Sequence, residues 1–100
     1  MAIIEVFDPA LCCSTGICGV NVDPALVTFA ADMAWALEQG FDIKRYNLAQ
    51  NPRAFANAPA VQAYLLLHGA KSLPVVLVNG EVVLSARYPS REEIATWAQR

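Results

Sequence analysis

Cys12, Cys13 and Cys18 are the sequence's only cysteines and its most reactive grouping. They fall within the seven residues Cys12-Cys13-Ser14-Thr15-Gly16-Ile17-Cys18, a clustering that random scatter rarely produces. An odd number cannot pair off within one chain. The thiolate is both the nucleophile and the soft metal ligand, so three converging thiolates suit an ion that takes three soft donors. Trivalent arsenic and antimony are such ions: thiophilic, pyramidal, with a lone pair in the fourth direction. Cys12 and Cys13 cannot point both side chains one way along an extended strand. The segment must therefore bend, and Gly16 and Gly19 permit bends that other residues resist. Cys18 then returns as the third donor. Exposed N–H groups at the start of a following helix would favour the thiolate form.

Other chemistries compete for the same sulfurs. Structural zinc sites take four ligands, often as two separated pairs, whereas here there are three sulfurs and one distant histidine, His68. A lone histidine at the end of a helix is more often a C-terminal residue of that helix than a ligand. Copper(I) accepts two or three thiolates, so softness alone does not separate it from the metalloids. Thiol–disulfide exchange is the main alternative. Its usual C-x-x-C spacing is missing, because four residues separate Cys13 from Cys18 and five separate Cys12 from Cys18. A Cys12–Cys13 disulfide would demand unusual backbone geometry. An inert role is a poor fit as well: buried cysteines act as small core hydrophobes, and three in a polar, glycine-bearing segment are not placed that way.

The elements that must hold this segment can be read on either side of it. Ile3 to Phe7 is a short apolar strand ended by Asp8-Pro9. A loop from about Ala10 to Val22 carries the cysteines. Asp23-Pro24 starts a helix, with Asp23 as cap and Pro24 in the first turn. Leu26, Phe29, Ala30, Met33 and Leu37 form its apolar stripe, and Gly40 stops it. Phe41 to Leu48 is strand-like, with Phe41 and Ile43 on one face, and Asn51-Pro52 marks a short helical turn. Asn57 to His68 gives a second helix, with Val61, Tyr64 and Leu65 inward and Gly69 as its stop. Val75 to Val78 is a buried strand, Asn79-Gly80 a two-residue hairpin turn and Glu81 to Leu84 the return strand. Ser90 and Glu93 form a capping box that opens a last helix, with Ile94 and Trp97 inward.

The order β-α-β-α-β-β-α implies an α/β, thioredoxin-like fold: a mixed four-stranded sheet, part parallel and part hairpin, with helices on both faces. Leu73-Pro74 sits where that fold places a cis-proline, while base rates favour trans, and both isomers stay open. Leu65-Leu66-Leu67 reads as core. Trp35, outside the main stripe, reads as a residue on an outer face of its helix, a position that can mark an interface. Arg87, Arg91 and Arg100 read as solvated.

Composition narrows the classes. The 100 residues suffice for one domain, 56% are hydrophobic and 16% charged, which excludes a disordered chain. The net charge of −2, with Lys44-Arg45 as the only adjacent basic pair, makes nonspecific attraction to phosphate weak. DNA binding would rest on a few well-placed residues doubled by dimerisation. No leader segment is evident and no apolar run nears the roughly 20 residues of a bilayer span. The expectation is a cytoplasmic protein without membrane insertion, its cysteines kept reduced.

The stretch Phe7-Asp8-Pro9-Ala10-Leu11-Cys12-Cys13-Ser14-Thr15-Gly16-Ile17-Cys18-Gly19 resembles the ArsD family. The likeness continues through Asn47-Leu48-Ala49-Gln50, Leu73-Pro74, Asn79-Gly80-Glu81 and Arg87-Tyr88-Pro89, and covers essentially the whole chain. The double-cysteine segment is the specific signature. The resemblance implies an arsenical metallochaperone with a thioredoxin-like fold, which binds As(III) or Sb(III) as cargo and passes it to ArsA, an arsenite-transporting ATPase. By position, Cys12, Cys13 and Cys18 match the family's metalloid ligands. It also implies a homodimer with weak repressor activity at operator DNA, relieved by the metalloid. Some members carry further vicinal cysteine pairs nearer the C-terminus. These 100 residues hold none, and the three-cysteine segment suffices for carriage. No organic cofactor is implied, glutathione serves as metalloid donor, and ligand exchange without net chemistry makes the protein a carrier and not an enzyme.

Overall fold

The computed structural model describes residues 2–9 and 23–99. The elements run β1 (Ile3–Asp8), α1 (Pro24–Glu38), β2 (Asp42–Asn47), α2 (Pro52–Ala56), α3 (Pro59–His68), a 3-10 turn (Ala70–Ser72), β3 (Val75–Val78), β4 (Glu81–Ser85) and α4 (Arg91–Ala98). Among the described residues the strands form one mixed sheet in the order β2-β1-β3-β4. β1 runs parallel to β2 and antiparallel to β3, and β3 pairs antiparallel with β4.

Strand alternation divides the apolar residues between two layers. Ile4, Val6, Val76 and Val78 face one way and pack against Phe29 and Ala36 of α1 and Ile94 and Trp97 of α4. Phe7, Val75 and Leu77 face the other way, against Phe55 of α2 and Val61 of α3. The sheet therefore carries helices on both faces, as the element order required. Register fixes the match: Val6 lies opposite Val76 and Ile4 opposite Val78, so a one-residue slip would turn both sets outward.

The turn chemistry behaves as read. Asn79 and Gly80 both take positive φ, 53° and 85°, the requirement of a two-residue turn of this hand. Asp23 caps α1, accepting from the Ala25 N–H at 2.9 Å. The capping box of α4 closes in both directions, Glu93 N–H to Ser90 Oγ and Ser90 N–H to Glu93 Oε1. The Leu73–Pro74 peptide is cis. The second helix begins at Pro59, two residues later than expected, because Asn57 ends α2 as its C-cap. Among the described residues no helix is long and apolar enough to cross a membrane.

Three placements differ from expectation. Leu37 is 58% exposed, because it lies about 80° round the helix from Phe29 while Ala36, about 20° away, takes the core position. Leu66 and Leu67 of the leucine run are exposed, at 88% and 81%. Val61, Tyr64 and Leu65 are the i, i+3, i+4 set that meets the sheet, and the next two residues turn away from it. Trp35 is half-buried against the core, edge-on to Phe41 with centroids 5.7 Å apart, under the Arg91 guanidinium. Arg91 is thus held to α1 through Trp35 and a 2.7 Å ion pair with Asp32, and Arg87 pairs with Glu93 at 2.8 Å, although both arginines keep half their surface in water. Arg100 lies outside the described residues.

Candidate functional site

Cys12, Cys13 and Cys18, with Gly16 and Gly19, lie outside the described residues, and the structure supplies the frame on either side of them. β1 delivers the chain at Asp8-Pro9, and α1 takes it back at Asp23-Pro24. Both ends open on one cavity of about 390 Å³, whose other walls include Leu26, cis-Pro74, Ala86 and Tyr88. The Asp23 carboxylate occupies the Ala25 N–H and places a negative charge at the start of α1. That helix end therefore offers a nearby thiolate less stabilisation than a neutral cap would.

Beneath the cavity lies a buried polar knot that the sequence reading did not single out. Asp8, the last residue of β1, is wholly buried. Arg45 of β2 donates to it through Nε at 2.6 Å and Nη2 at 3.3 Å, and Tyr88 donates a short O–H bond to the same carboxylate. The Arg45 guanidinium lies 4.9 Å from the centre of the Phe29 ring, which stacks on Tyr88 at 4.6 Å. Stacking on aromatic faces and forking onto a carboxylate are what guanidinium geometry allows and lysine cannot copy. Burial pushes Asp8 above the usual carboxylate range, and the Arg45 and Tyr88 hydrogen bonds pull against that rise. Burial, followed by the bond to Asp8, also raises the Tyr88 phenol. The knot ties β1, β2, α1 and the segment before α4 together at the root of the cysteine segment. Its sequence signals were faint: an acid closing an apolar strand, and Arg87-Tyr88-Pro89, noted for family likeness alone.

Next to Tyr88, Arg87 and Glu93 form an exposed pair. The Glu93 carboxyl is held down at about 2, first by the Arg87 guanidinium and then by the Ser90 backbone N–H. A lowered folded value stabilises the fold above the ordinary carboxylate range and loses that contribution as pH falls through about 2. A carboxyl-detected NMR titration should place the Glu93 midpoint near 2, and Arg87→Ala should move it up toward the ordinary range. An unchanged midpoint in that variant would remove Arg87 as the main cause.

His68 is the last residue of α3, its ring 4.3 Å from that of Tyr64. Among the described residues no three His, Cys, Asp or Glu side chains converge as a metal site.

Known proteins resemble the whole chain. A family model described as arsenical resistance operon protein ArsD matches residues 1–100. Two Escherichia coli proteins named arsenical resistance operon trans-acting repressor ArsD are each 48% identical over 97 residues, 97% of this chain and 81% of theirs. The crystal structure of an arsenical resistance operon trans-acting repressor from Bacteroides vulgatus superposes with a TM-score of 0.90 at 39% identity, covering 97% of this chain and 92% of that one.

Proposed function

The chain belongs to the ArsD family of arsenical resistance operon proteins, and from that premise we propose that it carries As(III) or Sb(III) on Cys12, Cys13 and Cys18 and hands the metalloid to the ArsA efflux ATPase. The observation that supports this reading is the coincidence of donor set and frame. The chain's only cysteines fall in an interval whose two ends, Pro9 and Asp23, open on a single cavity.

Transfer proceeds by stepwise thiol exchange. The metalloid arrives as a thiol complex, with glutathione as donor. Each step forms one bond from a cysteine sulfur to the metalloid and breaks one to the old ligand, which leaves as a thiol with the incoming proton. The metalloid stays trivalent throughout, so no oxidant or reductant is consumed and the protein is a carrier, not an enzyme. Cysteines of the ATPase then displace Cys12, Cys13 and Cys18 in the same way. Weak repression of the resistance operon by a cytoplasmic homodimer is the second part of the proposal, prompted by the repressor names of the relatives. Arg45, Arg87 and Arg91 are engaged in ion pairs, so operator affinity would rest on the few other basic residues, doubled by the dimer, with a salt dependence set by the number of phosphates they reach.

The discriminating experiment mixes metalloid-loaded protein with the ATPase under anaerobic conditions, separates the two and counts arsenic on each. The proposal expects arsenic to move to the ATPase and no reduction of insulin disulfides by the chain. Insulin turnover without transfer would favour the oxidoreductase reading. A gel-shift on operator DNA, with and without As(III), tests the repressor part.

A further inference from the structure

A second cavity, of about 610 Å³, shares no described lining residue with the one lined by Pro9 and Asp23. It opens where the junction between α2 and α3 leaves the sheet incompletely covered, over Glu5, Phe7 and Leu77, with Tyr46 and Ala60 on its walls. Its volume falls in the range of small-molecule sites. Glu5 is the feature that needs explaining. It sits mid-strand on the face it shares with Phe7 and Leu77, both buried, and is itself half-buried. Among the described residues its carboxylate makes no hydrogen bond or ion pair. Lys44, its neighbour in the parallel register, is exposed and leaves it unpaired. Glu5 is also the only charged residue among those that line the cavity.

Glu5 is thus a carboxylate without a counter-charge on an otherwise uncharged wall. Beside it the half-buried Tyr46 ring, backed by Phe7 at 5.1 Å between centroids, lines the cavity, and aromatic faces attract cations. An anion would meet Glu5's repulsion. We propose that this cavity binds an organic cation, an alkylguanidinium or alkylammonium group, with Glu5 as counter-ion and the Tyr46 ring against its alkyl chain. The inference is independent of the metalloid reading, because the site uses no cysteine.

The test is a titration of ¹⁵N-labelled protein with butylguanidinium, with butyrate as the anion of matching length and a blocked arginine as the peptide-borne form of the cation. The expected result is saturable shifts at the amides of Glu5, Tyr46 and Ala58 with a dissociation constant of about 1 mM or tighter, and none with butyrate. Preference for the free cation or the blocked arginine tells whether the natural ligand is a free amine or a peptide side chain. Glu5→Gln keeps the side-chain shape and should weaken binding about tenfold or more by removing the charge-assisted bond. Ala60→Leu should block the cavity while leaving Glu5 in place. Absence of saturable shifts, equal response to butyrate, or undiminished binding by folded Glu5→Gln protein would overturn the proposal.

Discussion

Replacing Arg45 by Leu is expected to destabilise the fold by about 3–5 kcal/mol at neutral pH, the usual cost of leaving a buried carboxylate without its partner. Asp8 is wholly buried and holds Arg45 at 2.6 Å. Without the guanidinium only the Tyr88 hydroxyl remains on that carboxylate among the described residues, and the Phe29 ring loses the cation above it. The loss should depend on pH, and the sign can be worked out. Asp8 is already above the ordinary carboxylate range in the folded protein, and removing the positive charge raises it further. A raised folded value means the native state binds the proton more readily than the unfolded chain. The variant should therefore gain ground on the wild type as pH falls into the carboxylate range, and lose it as pH rises through the folded value. Urea unfolding at several pH values measures both effects. Adding Asp8→Asn to Arg45→Leu should recover much of the loss, since an amide costs less to bury than an unpaired charge. A small loss, or one that ignores pH, would mean that water reaches Asp8 in solution.

Removing one sulfur should have the largest effect on function. A four-donor zinc site is worth roughly 10–16 kcal/mol, so one soft donor contributes about 3 kcal/mol, or about a hundredfold in affinity. Cys18→Ala leaves only the adjacent pair Cys12-Cys13 and should retain As(III) about a hundredfold more weakly. Little arsenic should then reach the ATPase, while unfolding by urea stays near wild type. Tight retention and fast transfer by this variant would rule out three-thiolate coordination.

Local chemistry carried most of the fold in readable form. Asn79-Gly80 has a composition that readily accepts two positive φ values in a row, and Asp23-Pro24 and Ser90/Glu93 announce helix starts through their own hydrogen bonds. Periodicity was less sufficient where several apolar residues compete for one face. Leu37 lost its place to Ala36, and Leu66 and Leu67 to the Val61–Leu65 face, because a leucine's hydrophobicity says nothing of which way its neighbours turn the helix. The knot of Asp8, Arg45 and Tyr88 was out of reach for a different reason. Its members stand 37 and 80 residues apart, and no local period links them. They meet through the parallel pairing of β1 with β2 and the return of the chain before α4. Glu5 belongs to the same class: its position in a strand was plain, its lack of a partner was not. Cys12, Cys13 and Cys18 stand out as a candidate donor set through residue type and spacing, and they lie outside the described residues.

The central claim is that one trivalent metalloid sits on the three cysteines. Arsenic-edge X-ray absorption on the anaerobic one-to-one complex of As(III) with reduced protein tests it most directly. The account predicts three sulfur neighbours around arsenic in the wild type, and loss of that shell in each of Cys12→Ala, Cys13→Ala and Cys18→Ala. A shell dominated by oxygen, or one that survives every single substitution, would contradict it and return the cysteine segment to thiol–disulfide chemistry.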